Sequence, residues 1–242
     1  MNNNTIVAEG LSKAYRKKVA VKKISLSVAS GEIVGLLGPN GAGKTTTFYM
    51  IIGIIMPDEG SIVFNSTDIG KLPVYERARL GISYLPQEPS IFRKLTVREN
   101  ISAVLEMRGF DTDTIQRRTD ELIEEFNLSE FACRDGYSLS GGERRRTEIA
   151  RALATDPVFL LFDEPFAGID PIAIHELKKM LQYLRGRGLG ILITDHNVRD
   201  TLSITDRAYI VNNGEIFYEG VPEELIKNTD VRRIYLGEEF RL

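Results

Sequence analysis

Three features of the sequence predict an α/β protein with a parallel sheet, an antiparallel β layer ahead of it and a helical subdomain inserted into it. The runs Ile33–Leu37, Val158–Phe162 and Ile191–Ile193 are apolar without alternation, the pattern of strands buried on both faces. The earlier strand candidates sit close together and alternate more, as a half-exposed antiparallel layer would. Between Glu88 and Thr155 the strand signal disappears and helical spacing replaces it.

Taken in order, strands are expected at Ile6–Ala8, Ile24–Val28 and Ile33–Leu37, then a helix-compatible segment at Thr45–Ile55. Strands at Ser61–Phe64 and Ile82–Leu85 lead into helices at Val97–Met107, Thr112–Phe126 and Gly141–Ala154. Pro86 and Pro157 bracket that helical stretch, since proline interrupts helix continuity. Strands follow at Val158–Phe162, Gly190–Thr194, Ala208–Asn212 and Glu215–Glu219, with short helices in the tail from Pro222. The expected organisation is one domain over 1–242: a core of 1–87 and 156–221, a helical subdomain of 88–155 and a C-terminal extension of 222–242.

Composition narrows the function. The 242 residues are 43% hydrophobic and 27% charged, enough for a sizeable core and outside the range of disordered or fibrous chains. A net charge of −3 offers no basic excess for coating nucleic acid, and no nucleic-acid partner is expected. The single cysteine, Cys133, reads as a small semi-buried residue in a reducing compartment. With it and only two histidines, a His/Cys zinc site lacks ligands. The polar start Met1–Thr5 does not have the pattern of a secretory signal. The longest apolar run, Met50–Met56, is far shorter than the about 18–20 residues of a spanning helix. A cytoplasmic chain is expected, reaching any membrane from its surface or through a partner.

Gly38-Pro39-Asn40-Gly41-Ala42-Gly43-Lys44-Thr45 fits the phosphate-loop pattern, and it stands between a buried-type strand and a helix-compatible segment. Glycines let successive N–H groups converge on phosphate oxygens at a helix N-terminus. Lys44 would reach the β/γ-phosphates and the Thr45 hydroxyl would sit on Mg²⁺. The run Val158–Phe162 delivers Asp163 and Glu164 at its C-terminal edge, where open α/β sheets bind ligands. Asp163 would hold Mg²⁺ and Glu164 would orient and deprotonate a water, with the two strands expected side by side. Leu139-Ser140-Gly141-Gly142-Glu143 supports two readings. Ser140 and Glu143 form a capping box, and the same serine and glycines at a helix start form an anion site.

With these motifs in order, the sequence resembles the ATP-binding-cassette (ABC) ATPase family over almost its whole length. The resemblance rests on the phosphate loop, Gln87, Leu139–Glu143, Asp163-Glu164, Ala167-Gly-Ile-Asp170 and His196. Its signature ends in Glu143 where the family usually has glutamine. The resemblance implies a RecA-like phosphate-loop core and a head-to-tail homodimer in which two ATP molecules lie between one chain's phosphate loop and the other's signature. It also implies Tyr15 against adenine, Thr46 beside Thr45 in the nucleotide site, and Gln87 sensing Mg²⁺ and the attacking water. His196 would contact the γ-phosphate and Asp170 the opposite chain. ATP and Mg²⁺ are the implied cofactors.

Within the family, Tyr84–Leu95, Leu139–Arg146, Thr194–Asn197 and the terminal Tyr235–Leu242 are similar to the ATPase subunits of bacterial lipopolysaccharide exporters. The first three segments also resemble branched-chain amino-acid importer ATPases. The exporter resemblance implies integral membrane subunits seated in a groove near Gln87, Phe92 and Arg93, a peripheral location on the cytoplasmic face of the inner membrane, and Phe240 packing the tail across the dimer. Soluble non-transport ABC proteins usually carry two cassettes or a long coiled-coil insertion, and a GTPase usually shows Asn-Lys-x-Asp; this chain has none of these. Arg144-Arg145-Arg146 reads as a solvated, ion-paired helix face rather than a nucleic-acid or lipid patch. His175 reads as a surface residue.

Overall fold

The computed structural model describes residues 4–16 and 18–237. The chain begins with β1 (Thr5–Tyr15), β2 (Lys18–Ala29) and β3 (Ile33–Leu37), followed by α1 (Lys44–Ile52). Next come β4 (Glu59–Phe64), β5 (Thr67–Asp68), α2 (Val74–Arg79) and β6 (Ile82–Leu85). Three longer helices follow: α3 (Val97–Met107), α4 (Thr112–Glu125) and α5 (Gly141–Leu153). Then β7 (Phe159–Asp163), α6 (Pro171–Gly186), β8 (Gly190–Thr194) and α7 (Val198–Leu202) precede β9 (Arg207–Asn212) and β10 (Glu215–Gly220). The described chain closes with α8 (Pro222–Lys227), α9 (Thr229–Val231) and a π-turn at Arg232–Leu236.

Two compact units result, residues 1–84 with 158–242 and residues 85–157. In the first, a six-stranded sheet has the order β10-β9-β3-β8-β7-β6, and a four-stranded sheet has the order β2-β1-β4-β5. β3 runs parallel to β8 and β9, and β7 parallel to β8. All five residues of β3, β7 and β8 are buried, which is why their sequences do not alternate. Successive residues of β3 serve opposite faces. Leu36 joins a core with Ile24, Phe48, Phe159 and Leu192, whereas Leu37 joins a second cluster with Leu202, Ile210, Leu225 and Val231.

The antiparallel layer is longer than its alternation suggests. β1 and β2 span 11 and 12 residues because register shifts after Ala8 and Leu11 re-phase the pairing and break the period-2 pattern. The helix α2 carries no strong periodic signal. It is anchored by Arg77, fully buried, whose Nη1 donates to Met50 O at 2.7 Å and Ile51 O at 2.6 Å. The expectation that the strands carrying the phosphate loop and the acidic pair lie side by side is corrected: β8 stands between β3 and β7.

The second unit is helical. Thr96 and Glu99 cap α3 reciprocally, the Asp111 side chain caps α4, and Ser140 and Glu143 form a capping box on α5. Buried Asn100 accepts the Phe92 N–H at 2.8 Å and donates to Phe92 O, Leu95 O and Thr96 O, so the turn carrying Phe92 is pinned to α3. Two surface readings change. Arg144, Arg145 and Arg146 are half-buried rather than solvated, with Arg145 Nη1 3.2 Å from Glu148 Oε2 inside the unit. Cys133 is exposed, because it falls in the short turn after Ser129–Phe131 rather than on a packed face.

Candidate functional site

The loop after β3 is shaped by glycines that no other residue could replace. Gly38 has φ 147°, and a Cβ there would lie 2.1 Å from Val211 O. Gly43 has φ 110°, would meet Ala20 O at 2.7 Å, and serves as the N-cap of α1. A glycine cap contributes no side-chain acceptor, so no side chain of the cap residue satisfies the first-turn N–H groups of α1. Ala42 is buried and steadies the loop, its N–H donating to Pro39 O and its carbonyl accepting from Gly214 N. Lys44 lies almost wholly buried, with Nζ donating to Gly38 O at 2.6 Å and Pro39 O at 3.1 Å. Burial pushes the Lys44 ammonium down, opposed by the carboxylates of Glu164, Asp195 and Asp163. A cavity of about 260 Å³ opens over this loop, lined by Tyr15, residues 40–46 and Glu164. Uncapped N–H groups, a lysine and a helix N-terminus suit it to a polyphosphate.

Strand register delivers the acids. Leu36 pairs with Thr194, and Thr194 pairs with Asp163, so the ends of β3, β8 and β7 stand in one row. The Thr194 hydroxyl donates to Asp163 Oδ1 at 2.7 Å. Burial raises Asp163 above the usual carboxylate range. Burial raises the phenols of Tyr49 on α1 and Tyr84 of β6. Glu164 adopts φ 45°, in the left-handed region, and its N–H donates to Thr194 O at 2.7 Å. Such non-glycine strain concentrates at functional sites. The turn aims Glu164 into the cavity, with Oε2 3.3 Å from Nδ1 of half-exposed His196. Beneath them Asp195 is fully buried and accepts from the N–H groups of Phe166 and Asn197.

Among the described residues no group of three or more His, Cys, Asp or Glu side chains stands ready for a metal ion. A cation here would take most of its oxygens from a ligand and water, as Mg²⁺ does. The Thr45 hydroxyl on the cavity wall and the Asp163 carboxylate are hard oxygen donors of the type such an ion accepts.

Residues 21–167 match the ABC transporter family. The chain belongs to that family. It is 58% identical to the "Lipopolysaccharide export system ATP-binding protein LptB" of Haemophilus influenzae over 98% of this chain and 99% of that protein. The protein of the same name from Escherichia coli strain K12 is 55% identical, again over 98% and 99%. An ATP-binding cassette of an ABC transporter solved in its ADP conformation superposes with a TM-score of 0.86 at 28% identity, covering 97% of this chain and 99% of the other.

As an ABC ATPase, the chain brings Tyr15, Gly38–Thr46, Asp163, Glu164 and His196 together in its first unit, along with Thr194, Asp195 and Tyr49, which motif reading missed. The segment Thr194-Asp-His-Asn197 contains the first two, and Tyr49 lies within the apolar run of α1. Asp170 is the N-cap of α6, accepting from Ile172 N and Ala173 N at 3.0 Å. Ser140, Gly141, Gly142, Gln87, Phe92 and Arg93 belong to the second unit. There Gln87 and Arg93 are exposed, and the Phe92 ring lies 4.8 Å beneath the Arg151 guanidinium. In the tail, the Tyr235 hydroxyl is buried beside the Gly38 backbone and Asp195, and burial pushes it up to about 12. Phe240 lies outside the described residues. No helix of the described residues is long and apolar enough to cross a membrane.

Proposed function

We propose that this cassette is the ATPase subunit of a lipopolysaccharide exporter, working as a head-to-tail homodimer on integral membrane subunits at the cytoplasmic face of the inner membrane. The observation that carries this reading is the 55–58% identity, over nearly the full chain, to proteins named for lipopolysaccharide export.

In this reading the backbone of Gly38–Gly43, Lys44 and Thr46 bind the β- and γ-phosphates, while Tyr15 stacks on adenine. Thr45, Asp163 and Gln87 would hold Mg²⁺, which supplies charge neutralisation at the phosphates. Glu164 accepts a proton from the attacking water as its oxygen bonds to the γ-phosphorus and the bond to ADP breaks. His196, beside Glu164, contacts the γ-phosphate. Phosphoryl transfer asks mainly for such positioning and charge stabilisation. Ser140, Gly141 and Gly142 offer a capped helix start to the nucleotide held by the other protomer, and Asp170 faces that protomer. Phe92 and Arg93 receive the membrane subunit. ATP closes the pair only through its greater affinity for the closed state.

The Glu164→Gln variant tests the core of this reading. It is expected to bind ATP and elute as a dimer with Mg²⁺, while phosphate release falls by about 100-fold or more. A strictly monomeric nucleotide-bound variant would overturn the dimer. Complementation of cells depleted of their lipopolysaccharide exporter ATPase tests the cargo: rescue by the wild-type gene and none by Glu164→Gln is expected, and no rescue by either refutes it.

A further inference from the structure

We propose that Asp195 is a positioning residue for hydrolysis: it fixes the separation of the turns that carry Glu164 and His196 without itself reaching the nucleotide. This role rests on the reading of Glu164 as the group that accepts a proton from the attacking water.

β7 and β8 end side by side at the pair Asp163 and Thr194, and the bond from Glu164 N–H to Thr194 O at 2.7 Å prolongs the ladder by one step. Beyond it the chains part, one into the turn at 164–168 and the other toward α7. Asp195 spans the gap. Its Oδ2 accepts the Phe166 N–H at 2.9 Å, two residues after Glu164, and its Oδ1 accepts the Asn197 N–H at 2.6 Å, one residue after His196. Oδ1 also lies 3.7 Å from His196 Nδ1, the nitrogen that stands 3.3 Å from Glu164 Oε2. The Asn197 end of this brace is itself fixed, because Asn197 Nδ2 donates to Asp200 Oδ2 at 2.5 Å and Asp200 Oδ1 accepts Lys178 Nζ of α6 at 2.5 Å. The Phe166 end restrains the turn in which Glu164 holds φ 45°, a conformation that surrounding structure must enforce. Asp195 is 0% exposed whereas Glu164 lines the cavity, so Asp195 acts through these turns and not on the water. A carboxylate offers one oxygen to each N–H, an asparagine in its place only one acceptor, and an alanine none. Displacing a reacting group by about 1 Å can cost about 100-fold in rate.

The test is steady-state phosphate release from ATP with Mg²⁺ on the full chain, beside ATP binding by calorimetry. Circular dichroism gives the folded fraction, and kcat is taken per folded molecule so that loss of folded protein does not register. Asp195→Asn, which keeps one acceptor, is expected to lower kcat about tenfold, and Asp195→Ala, which keeps none, about 100-fold. KM and ATP affinity should stay within about twofold of wild type in both, because the phosphate loop is untouched. Hydrogen exchange at the Phe166 amide should quicken in both variants, more in Asp195→Ala. Asp195→Asn is isosteric, so it decides the matter where Asp195→Ala does not fold. If Glu164→Gln abolishes turnover while folded Asp195→Asn keeps the wild-type kcat, the positioning role fails and the reading of Glu164 stands. If Glu164→Gln keeps its turnover, that reading fails and takes the positioning role with it. ATP affinity falling in step with kcat would make Asp195 a support of the whole nucleotide site and overturn the proposal.

Discussion

Asp195 Oδ2 accepts the Phe166 N–H at 2.9 Å, tying the turn after β8 to the turn after β7. Its other oxygen accepts the Asn197 N–H at 2.6 Å. Glu164 and His196 sit on these two turns, so one buried carboxylate sets the spacing of the pair that faces the cavity.

That carboxylate makes stability depend on pH. Burial raises Asp195 above its ordinary 3.8, its backbone donors and His196 only partly opposing this. Its stabilising contribution is fully present below the unfolded value and is lost as pH rises through the raised folded value. Urea denaturation should therefore show wild type losing stability relative to Asp195→Asn as pH climbs from about 4 toward neutrality. A pH-independent offset remains, because asparagine can accept only one of the two N–H bonds. Parallel profiles would contradict the assignment.

Arg77 holds the end of the helix that carries Lys44. Besides its bonds to Met50 O and Ile51 O, Nε donates to Leu72 O at 2.8 Å and Nη2 to Gly70 O at 3.1 Å. Burial lowers this guanidinium to about 10. Arg77→Met leaves several carbonyls without a donor and should cost about 3 kcal/mol or more in denaturant titrations. Arg77→Lys should recover only part of that, since an ammonium lacks the planar fork.

Gly38 and Gly41 make a controlled comparison within one loop. A Cβ at Gly38 would meet Val211 O at 2.1 Å, whereas Gly41, at φ 77°, faces open space. Gly41→Ala should cost about 1–2 kcal/mol of backbone strain alone. Gly38→Ala should cost more and weaken ATP binding at least about tenfold, since the loop must move away from β9. Thermal melts and ATP titrations on both variants check the order.

Ser140 separates capping from chemistry. Its hydroxyl accepts the Glu143 N–H at 3.3 Å while Glu143 Oε2 accepts the Ser140 N–H at 2.8 Å. Ser140→Ala should lose about 1 kcal/mol of stability as a cap. Where the variant is still fully folded, hydrolysis should nevertheless fall more than tenfold, because in the proposed homodimer the helix start serves the other protomer's nucleotide. Activity that merely tracks the folded fraction would leave the cap as its whole role.

Legibility followed the range of the interaction. The phosphate loop, the capping box at Ser140 and the helices α3 to α5 are local, set by backbone needs of contiguous residues, and they could be read within a few residues of their observed ends. The lengths of β1 and β2 could not, because register shifts erase the alternation. Nor could the burial of Arg145, which depends on Glu148 and on the turn at Ser90 and Ile91 that Glu148 receives.

By itself the sequence determined the chemistry on offer: glycines where only glycine bends, a lysine and threonine at a helix start, and two acids at the end of a buried strand. Tertiary structure alone decided how these meet. It set β8 between β3 and β7 and placed Thr194 and Asp195 among the acids. Strand order and hydroxyl partners join residues dozens of positions apart, and which distant groups share a buried site is settled by packing the whole sheet, not by any local pattern.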